Sequence, residues 1–227
     1  MLFVDASSRG ICDLPQKTSG YGTGSVEQLT HNALAVPKAL TPDGKGLVFI
    51  DTVQFGGPAS NSSDRGDVMI LPLAGDRRPR PLVQTPFSET NAELSSDGRW
   101  LAYQSNESGQ EEIFVRPFPN VEASRTLVAR GSRPLWARNG RELFYLLMDA
   151  VMSVPVTMAS NVTFGKPNKM FEGSYFFGPG GRTYDATADG QRFLMVKENA
   201  AGDPARPAGF VVVLNWLEEL KRRVPTR

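Results

Sequence analysis

The chain has 227 residues, with 25 Lys and Arg against 24 Asp and Glu, for a formal net charge of +1. This near balance argues against a dedicated nucleic-acid binder, because neutralising phosphates requires an excess of cationic side chains. A single Cys and a single His exclude an intramolecular disulfide and a Cys/His zinc site, and any Ser-His-Asp or Cys-His catalytic system would have to use His31.

One short pattern recurs four times, at residues 40–49, 94–103, 136–145 and 186–195. Each copy has an apolar residue, a short polar stretch, Asp or Asn followed by Gly, two mostly polar residues and then an apolar run. Asp and Asn tolerate the left-handed backbone region, and Gly accepts a positive φ without steric cost, so each copy predicts a β-hairpin. The predicted turn residues are Asp43, Gly44, Asp97, Gly98, Asn139, Gly140, Asp189 and Gly190.

Two further strand patterns follow the hairpins. An apolar pattern with Pro near its end occurs at 68–73, 113–118 and 151–156, and residues 11–15 fit it as well. Because Pro cannot donate a ladder hydrogen bond, it favours a strand end or a sheet edge at these places. A shorter pattern occurs at 27–30, 81–84, 125–128 and 169–172. Each unit therefore holds four short strands over about 40–50 residues, which is the period of a β-propeller blade.

These elements predict an all-β fold, a β-propeller of about five four-stranded blades whose first and last blades are incomplete. The predicted blades are residues 1–30 (partial), 33–85, 91–129, 132–173 and 183–214 (partial). Residues 55–66 are rich in Gly, Ser, Asn and Asp and predict a long loop inside the second blade. Residues 215–227 predict a short C-terminal helix and tail, since apolar residues recur at helical spacing and acids precede bases.

The hairpins and the strands that follow them resemble the PD40 (WD40-like) repeats of TolB-type β-propellers over nearly the whole chain. Residues 96–109, 115–119 and 213–221 resemble more closely the propellers at the C-terminus of bacterial Ser/Thr protein kinases. The resemblance implies a closed ring, often of six blades, that binds partners or senses ligands without catalysis. Asn139 stands where the family has an acid. The chain is short of six blades, so we expect the last part of a longer protein, or a gene that has lost its front end, with unpaired edges that favour self-association.

Candidate binding residues lie where loops lead into the innermost strands, because in propellers these loops surround one mouth of the central channel. Residues 176–182, two aromatics and a Gly/Pro loop, precede the opening strand of the last blade and end at Arg182. Arg133 and Asn91 stand at the equivalent places in two other blades. Asp185 precedes its hairpin on a central strand, where it is a candidate for facing the channel and binding a ligand or cation. A plain connection between blades is the alternative reading of these loops.

The sequence favours a non-catalytic module that binds a protein or small-molecule ligand at the channel mouth, as the sensory or scaffold part of a bacterial Ser/Thr protein kinase. Kinase and hydrolase motifs are absent, and no cofactor or metal site is predicted. The alternatives are a propeller fragment of a prolyl-oligopeptidase-like peptidase and a TolB-like periplasmic partner-binding protein. No run of 18 apolar residues and no signal-peptide pattern is present, which predicts a cytoplasmic chain, or an extracytoplasmic one if its parent is a membrane-anchored kinase.

Overall fold

The computed structural model describes residues 13–15, 26–29, 35–52, 66–159, 161–176 and 181–196. All of these lie in one compact unit, Met1–Lys197. His31, residues 55–65 of the loop predicted at 55–66, the predicted strand at 209–214 and the predicted helix from residue 215 lie outside the described residues. The described part of the chain forms β-strands and turns, and within it no helix is long and apolar enough to span a membrane.

The strands of the described ranges form five antiparallel sheets, numbered here in chain order. Sheet 1 consists of β1 (Asp13–Pro15) and β2 (Val26–Gln28). Sheet 2 consists of β3 (Ala35–Leu40), β4 (Gly46–Asp51), β5 (Asp67–Pro72) and β6 (Arg80–Val83). Sheet 3 consists of β7 (Glu89–Leu94), β8 (Trp100–Ser105), β9 (Glu112–Pro117) and β10 (Thr126–Arg130). In both four-stranded sheets each strand pairs with the next one along the chain.

Sheet 4 departs from this simple meander. It consists of β11 (Ser132–Trp136), β12 (Glu142–Leu147), β13 (Ala150–Met158), β14 (Val162–Phe164) and β15 (Asn168–Glu172). The first six residues of β13 pair with β12, the first four also pair with β15, and the last three pair with β14. Sheet 5 consists of β16 (Tyr184–Ala186) and β17 (Phe193–Met195).

The expectation that the recurring Pro ends its strand holds at two of the three main sites and is wrong at the third. Pro72 and Pro117 are the last residues of β5 and β9, but β13 continues through Pro155 to Met158. The Pro155 carbonyl accepts a hydrogen bond from the Gly165 N–H at 2.8 Å, and the Val156 N–H donates to the Arg141 carbonyl at 2.7 Å. Pro155 lacks only its own donor, so these neighbouring bonds carry the ladder past it.

The four hairpin turns share one geometry. The turn glycines Gly44, Gly98, Gly140 and Gly190 have φ of 69°, 69°, 70° and 71°. Each Asp or Asn side-chain oxygen accepts a hydrogen bond from the backbone N–H two residues later, at 2.9–3.1 Å. Each glycine N–H donates to the carbonyl three residues earlier, at 2.8–2.9 Å. These bonds fix the turn locally, since only the short Asx side chain can reach its own backbone in this way.

The three Asp turns also contain a hydroxyl that the Asn turn lacks. Thr41, Ser95 and Thr187 donate to Asp43, Asp97 and Asp189, whereas Ala137 stands at this position before Asn139. At Asp43 and Asp189 the Thr hydroxyl bond lowers the pKa, and a backbone N–H bond lowers it further. Burial raises the pKa of Asp97, but the bonds from Ser95 and Arg99 outweigh burial and leave that pKa below its ordinary value.

Apolar layers hold successive sheets together. Side chains of β8 alternate, so that Leu101 and Tyr103 pack toward sheet 2 and Trp100 and Ala102 pack toward sheet 4. A third layer between sheets 4 and 5 contains Phe144, Leu146, Val151 and Tyr184, with Phe171 and Phe193 against it. The second hairpin turn also packs against the first, because a Cβ at Gly98 would lie 2.5 Å from Pro42 Cγ. A Cβ at Gly44 would meet nothing within 4 Å.

Two buried tryptophans, Trp100 and Trp136, lie in the same apolar layer between sheets 3 and 4 and differ in their hydrogen bonding. The Trp136 Nε1–H donates to the Glu93 carbonyl at 3.2 Å. The Trp100 Nε1–H is buried and has no hydrogen-bond partner among the described residues. Consecutive four-stranded antiparallel meanders stacked through such layers are the architecture of a β-propeller, and the chain has this fold.

Candidate ligand-binding site

The first strand of each of sheets 2, 3 and 4 is irregular at the same place. The pairing register shifts between Pro37 and Ala39 in β3, between Thr90 and Glu93 in β7, and between Ser132 and Leu135 in β11. A bulge inserts an extra residue and redirects its side chain. The redirected residues are Lys38, Asn91 and Arg133, and the last two have positive φ of 50° and 56°.

These bulges bring together a group of polar side chains from four segments of the chain. We call the group the mouth site; it consists of Lys38, Asn91, Glu93, Arg133 and Arg182. Arg182 lies just before β16, so each of sheets 2 to 5 supplies at least one member. Asn91 and Arg133 lie in the first half of β7 and β11, whereas the hairpin turns follow the last residues of these strands.

An ion pair ties sheet 3 to sheet 5 at the mouth site. Arg182 Nη1 donates to Glu93 Oε2 at 2.7 Å, with side chains only 27% and 21% exposed. Arg182 Nε donates to the Tyr184 carbonyl at 3.0 Å, which orients the guanidinium. Burial raises the pKa of Glu93 above its ordinary value, although the Arg182 charge opposes this. The pair is therefore partly desolvated and geometrically fixed.

Lys38 brings a second cation into the same space. The pKa of its ammonium is lowered from 10.5 to about 8, mainly by burial and also by the Arg182 and Arg133 charges, while the Glu93 charge opposes the shift. A Cβ at Gly181 would lie 2.7 Å from Lys38 Nζ, and Gly181 has a φ of 129°. Glycine at position 181 therefore leaves room for the Lys38 ammonium beside a backbone that other residues rarely adopt.

Asn91 and Arg133 are held by one glutamine. Gln104 Oε1 accepts from Asn91 Nδ2 at 2.9 Å and from the Arg133 N–H at 3.0 Å, and Gln104 Nε2 donates to Glu111 Oε2 at 2.5 Å. Because Gln104 itself is buried, it locks the bulges of two neighbouring sheets to each other.

The Arg133 side chain and carbonyl are also engaged with the start of sheet 5. Arg133 Nη1 donates to Thr183 Oγ1 at 3.3 Å, and the Tyr184 hydroxyl donates to the Arg133 carbonyl at 2.7 Å. Burial lowers the pKa of Arg133 below its ordinary value and raises that of Tyr184. The Thr183 hydroxyl donates to the Phe176 carbonyl at 2.8 Å, so its proton is held by backbone.

Cavities open beside these side chains. One of about 210 Å³ is lined by Lys38, Asn91, Glu93 and Arg182 among others. A larger one of about 380 Å³ is lined by Lys38, Asn91 and Arg133 and reaches Glu111. Cationic and amide side chains therefore line both cavities, as is typical of a polar binding site. No cluster of metal-ligating side chains is found among the described residues.

Three of the four candidate residues from the sequence, Asn91, Arg133 and Arg182, are brought together by the structure. Asp185 is exposed and lines a separate cavity of about 120 Å³, which it shares with Glu93 and Arg182. Its Oδ1 accepts from the Ala186 N–H at 2.9 Å.

Sequence reasoning missed Lys38 and Glu93. Glu93 precedes Leu94 as Asp185 precedes Ala186, so the repeat pattern that selected Asp185 would also have selected Glu93. The signal for Lys38 was a single charge inside the otherwise apolar strand β3.

No protein-family model and no curated protein sequence matches the chain. Solved structures are similar to it in fold. TolB from Acinetobacter baumannii matches at a TM-score of 0.54 with 17% identity, covering 86% of this chain and 47% of that chain. A TolB-type protein from Agrobacterium tumefaciens matches at 0.50 with 15% identity, covering 66% and 53%. The tricorn protease matches at 0.42 with 16% identity, covering 87% and 20%.

The two TolB structures define the class of fold. The chain spans about half of their length and shares their arrangement of stacked antiparallel sheets. Its fold is that of a TolB-like β-propeller.

Proposed function

We propose that this chain is a non-catalytic binding module that takes its ligand at the mouth site. The observation that supports this best is the repeated bulge. Three consecutive sheets redirect one polar or charged side chain, Lys38, Asn91 and Arg133, toward the same space. The fold itself does not require these bulges. An apolar residue in a regular strand would make the ladder hydrogen bonds without the free-energy cost of burying a polar side chain.

The mouth site is also held in place before any ligand arrives. Gln104 binds Asn91 and the Arg133 backbone, and Arg182 is fixed by Glu93 and the Tyr184 carbonyl. Side chains that are already ordered lose little entropy when a ligand binds, so a preorganised site binds more tightly than a flexible one of the same composition.

We further propose that the module is the sensory or scaffold part of a bacterial Ser/Thr protein kinase. The support is the sequence resemblance at 96–109, 115–119 and 213–221. The test is the coding sequence around the region that encodes this chain. A kinase domain encoded upstream in the same reading frame is the expected finding, and an α/β-hydrolase domain downstream would overturn this assignment in favour of a peptidase.

The binding role itself is tested by backbone amide spectra of the ¹⁵N-labelled chain. Pools of amino acids, carboxylic acids, phosphorylated sugars, neutral sugars and short peptides are added in turn. We expect at least one pool to shift the amides of Asn91, Arg133 and Arg182 while leaving the turn glycines Gly44 and Gly98 in place. Shifts confined to the turn face, or no shifts with any pool, would overturn the proposal.

Catalysis is tested on the same sample. The purified chain is expected to transfer no phosphate from ATP and to hydrolyse no peptide anilide. Turnover that co-purifies with the chain and disappears on substitution of His31, the single histidine, would contradict the non-catalytic assignment.

A further inference from the structure

Lys38 is a partly buried amine whose nitrogen makes no hydrogen bond and no ion pair with the described residues. Glu93 is the acid whose charge acts on it, but the Glu93 carboxylate is bonded to Arg182 at 2.7 Å. A buried charged side chain is normally paired or hydrogen-bonded. The contacts of the described residues therefore give the Lys38 amine no structural task, and it is available to a ligand.

Lys38 also lies beside open space. It lines the cavity of about 210 Å³ that it shares with Asn91, Glu93 and Arg182, and it lines the larger cavity of about 380 Å³ as well. The smaller volume is below the usual range for drug-sized ligands, so it suits a ligand of only a few non-hydrogen atoms. Such a ligand reaches the amine directly.

A hydrogen-bond acceptor lies close to this amine. A Cβ at Gly181 would lie 2.7 Å from Lys38 Nζ and 3.6 Å from Asn91 Oδ1, so both atoms border the same point in space. The amide nitrogen of Asn91 is used on Gln104, whereas Asn91 Oδ1 accepts no hydrogen bond from the described residues. A ligand hydroxyl next to the amine can therefore donate to Asn91 Oδ1.

The surroundings of Lys38 also make its amine reactive. Its pKa is lowered to about 8, mainly by burial and also by the Arg182 and Arg133 charges, while Glu93 opposes the shift, and the exposed Glu111 lies at the margin of the larger cavity. At pH 7 about a tenth of Lys38 is free amine, against about one part in 3,000 for an ordinary lysine. A desolvated lysine of this kind is a nucleophile toward carbonyl groups.

We propose that Lys38 captures small α-hydroxyaldehydes at the mouth site as a reversible imine. This rests on the proposed function and names its ligand class and its bond. The free amine attacks the aldehyde carbon, a C–N bond forms, and the carbonyl oxygen takes up a proton as the nitrogen loses one. The oxygen then leaves as water with the remaining N–H proton, and a C=N bond forms. One amine and one aldehyde thus give one imine and one water without oxidant or reductant, and hydrolysis releases the ligand.

The experiment mixes the full chain at pH 7 with glycolaldehyde and sodium cyanoborohydride, which reduces any imine to a stable secondary amine. The modified lysines are located and timed by mass spectrometry of peptides. We expect Lys38 to react at least roughly ten times faster than the exposed Lys45 and Lys166 in the same sample, because its larger free-amine fraction outweighs its lower basicity. With acetaldehyde, which lacks the hydroxyl, the ratio of the Lys38 rate to the Lys45 rate should be smaller.

Variants and pH provide the controls. Lys38→Met should remove the fast addition to the intact protein, and the matched variant Lys45→Met should retain it. Asn91→Gly, which keeps the positive φ of 50° accessible, should make the Lys38-to-Lys45 ratios for glycolaldehyde and acetaldehyde equal. The ratio should also fall between pH 7 and pH 10, because Lys38 is already mostly deprotonated above pH about 8 while Lys45 continues to lose its proton.

The outcomes separate this capture from the binding role. A Lys38 rate no higher than that of Lys45, or a rate ratio that does not fall between pH 7 and pH 10, overturns the capture. Equal ratios for glycolaldehyde and acetaldehyde in the wild type overturn the hydroxyaldehyde class. If the capture fails while another ligand pool still shifts the amides of Asn91 and Arg182, the proposed function stands without it. If no pool shifts these amides either, both proposals fail.

Discussion

Replacing Lys38 by Met is expected to stabilise the ligand-free protein at neutral pH. Burial, together with the neighbouring Arg182 and Arg133 charges, lowers the pKa of this ammonium to about 8 from an ordinary value of 10.5. Each unit of pKa corresponds to about 1.4 kcal/mol, so keeping the Lys38 charge in the folded state costs about 3 kcal/mol. Met has a similar length and no charge, so the variant removes this cost while filling the same space.

The pH dependence of the effect follows from the direction of the shift. The folded-state pKa lies below the unfolded one, so the unfolded chain holds the proton more tightly. The destabilisation by Lys38 is complete below pH about 8, shrinks between about 8 and 10.5, and is absent above that window. The advantage of Lys38→Met should therefore be full at pH 7 and mostly lost at pH 10.

Urea denaturation followed by tryptophan fluorescence measures this difference. At pH 7 the midpoint of Lys38→Met should exceed that of the wild type by roughly 1 M, given the usual slope for a domain of this size. The control Lys45→Met lies at an exposed turn position and should leave the midpoint nearly unchanged. A Lys38→Met variant that is less stable at pH 7, or whose advantage is the same at pH 7 and pH 10, would refute the reasoning that Lys38 is a desolvated cation.

Three further outcomes are expected from matched substitutions, all measured as urea midpoints. Gly44→Ala and Gly98→Ala each place Ala in the left-handed backbone region, which lowers the free energy of unfolding by about 1–2 kcal/mol. Gly98→Ala should be the more destabilising, because its Cβ would lie 2.5 Å from a neighbouring side chain. Equal destabilisation would contradict this packing. Trp136→Phe should be more destabilising than Trp100→Phe by about 1 kcal/mol or more, because only the first loses a hydrogen bond, and the reverse order would argue against the observed pairing. Asp97→Asn should destabilise at pH 7 and have little effect near pH 2, because the lowered pKa of Asp97 contributes stability that is lost as the pH falls below about 4; a pH-independent effect would show that its charge plays no part.

The predicted cost of Lys38 to stability also bears on the proposed binding role of the mouth site. A residue that lowers the stability of the free protein is the pattern found at functional sites, where stability is exchanged for binding. If Lys38→Met stabilises the chain and also weakens ligand binding at the mouth site, the loss of binding cannot be a consequence of unfolding. The two experiments therefore support each other through independent measurements.

Local physical chemistry made much of the fold predictable. The Asx-Gly turns depend on residues within a few positions of each other, and the observed hydrogen bonds join residues two or three apart. The apolar strands that follow were predictable for the same reason, since alternation along β8 already assigns Trp100 and Tyr103 to opposite faces. Strand β14 was not predicted, because its pairing with β13 beyond Pro155 depends on the partner strand.

The sequence by itself determined the repeat, its turns and several positions where polar or charged side chains stand at the entry to a first strand. Three of those positions, Asn91, Arg133 and Arg182, were identified from the repeat together with the place that such loops take at the channel mouth of known propellers. Only the tertiary structure decided which charges meet. Glu93 and Arg182 are 89 residues apart in the sequence. They pair because the first strand of sheet 3 lies beside the segment that leads into the first strand of sheet 5. Such pairing depends on how whole sheets pack against each other, so the local sequence around each residue does not predict it.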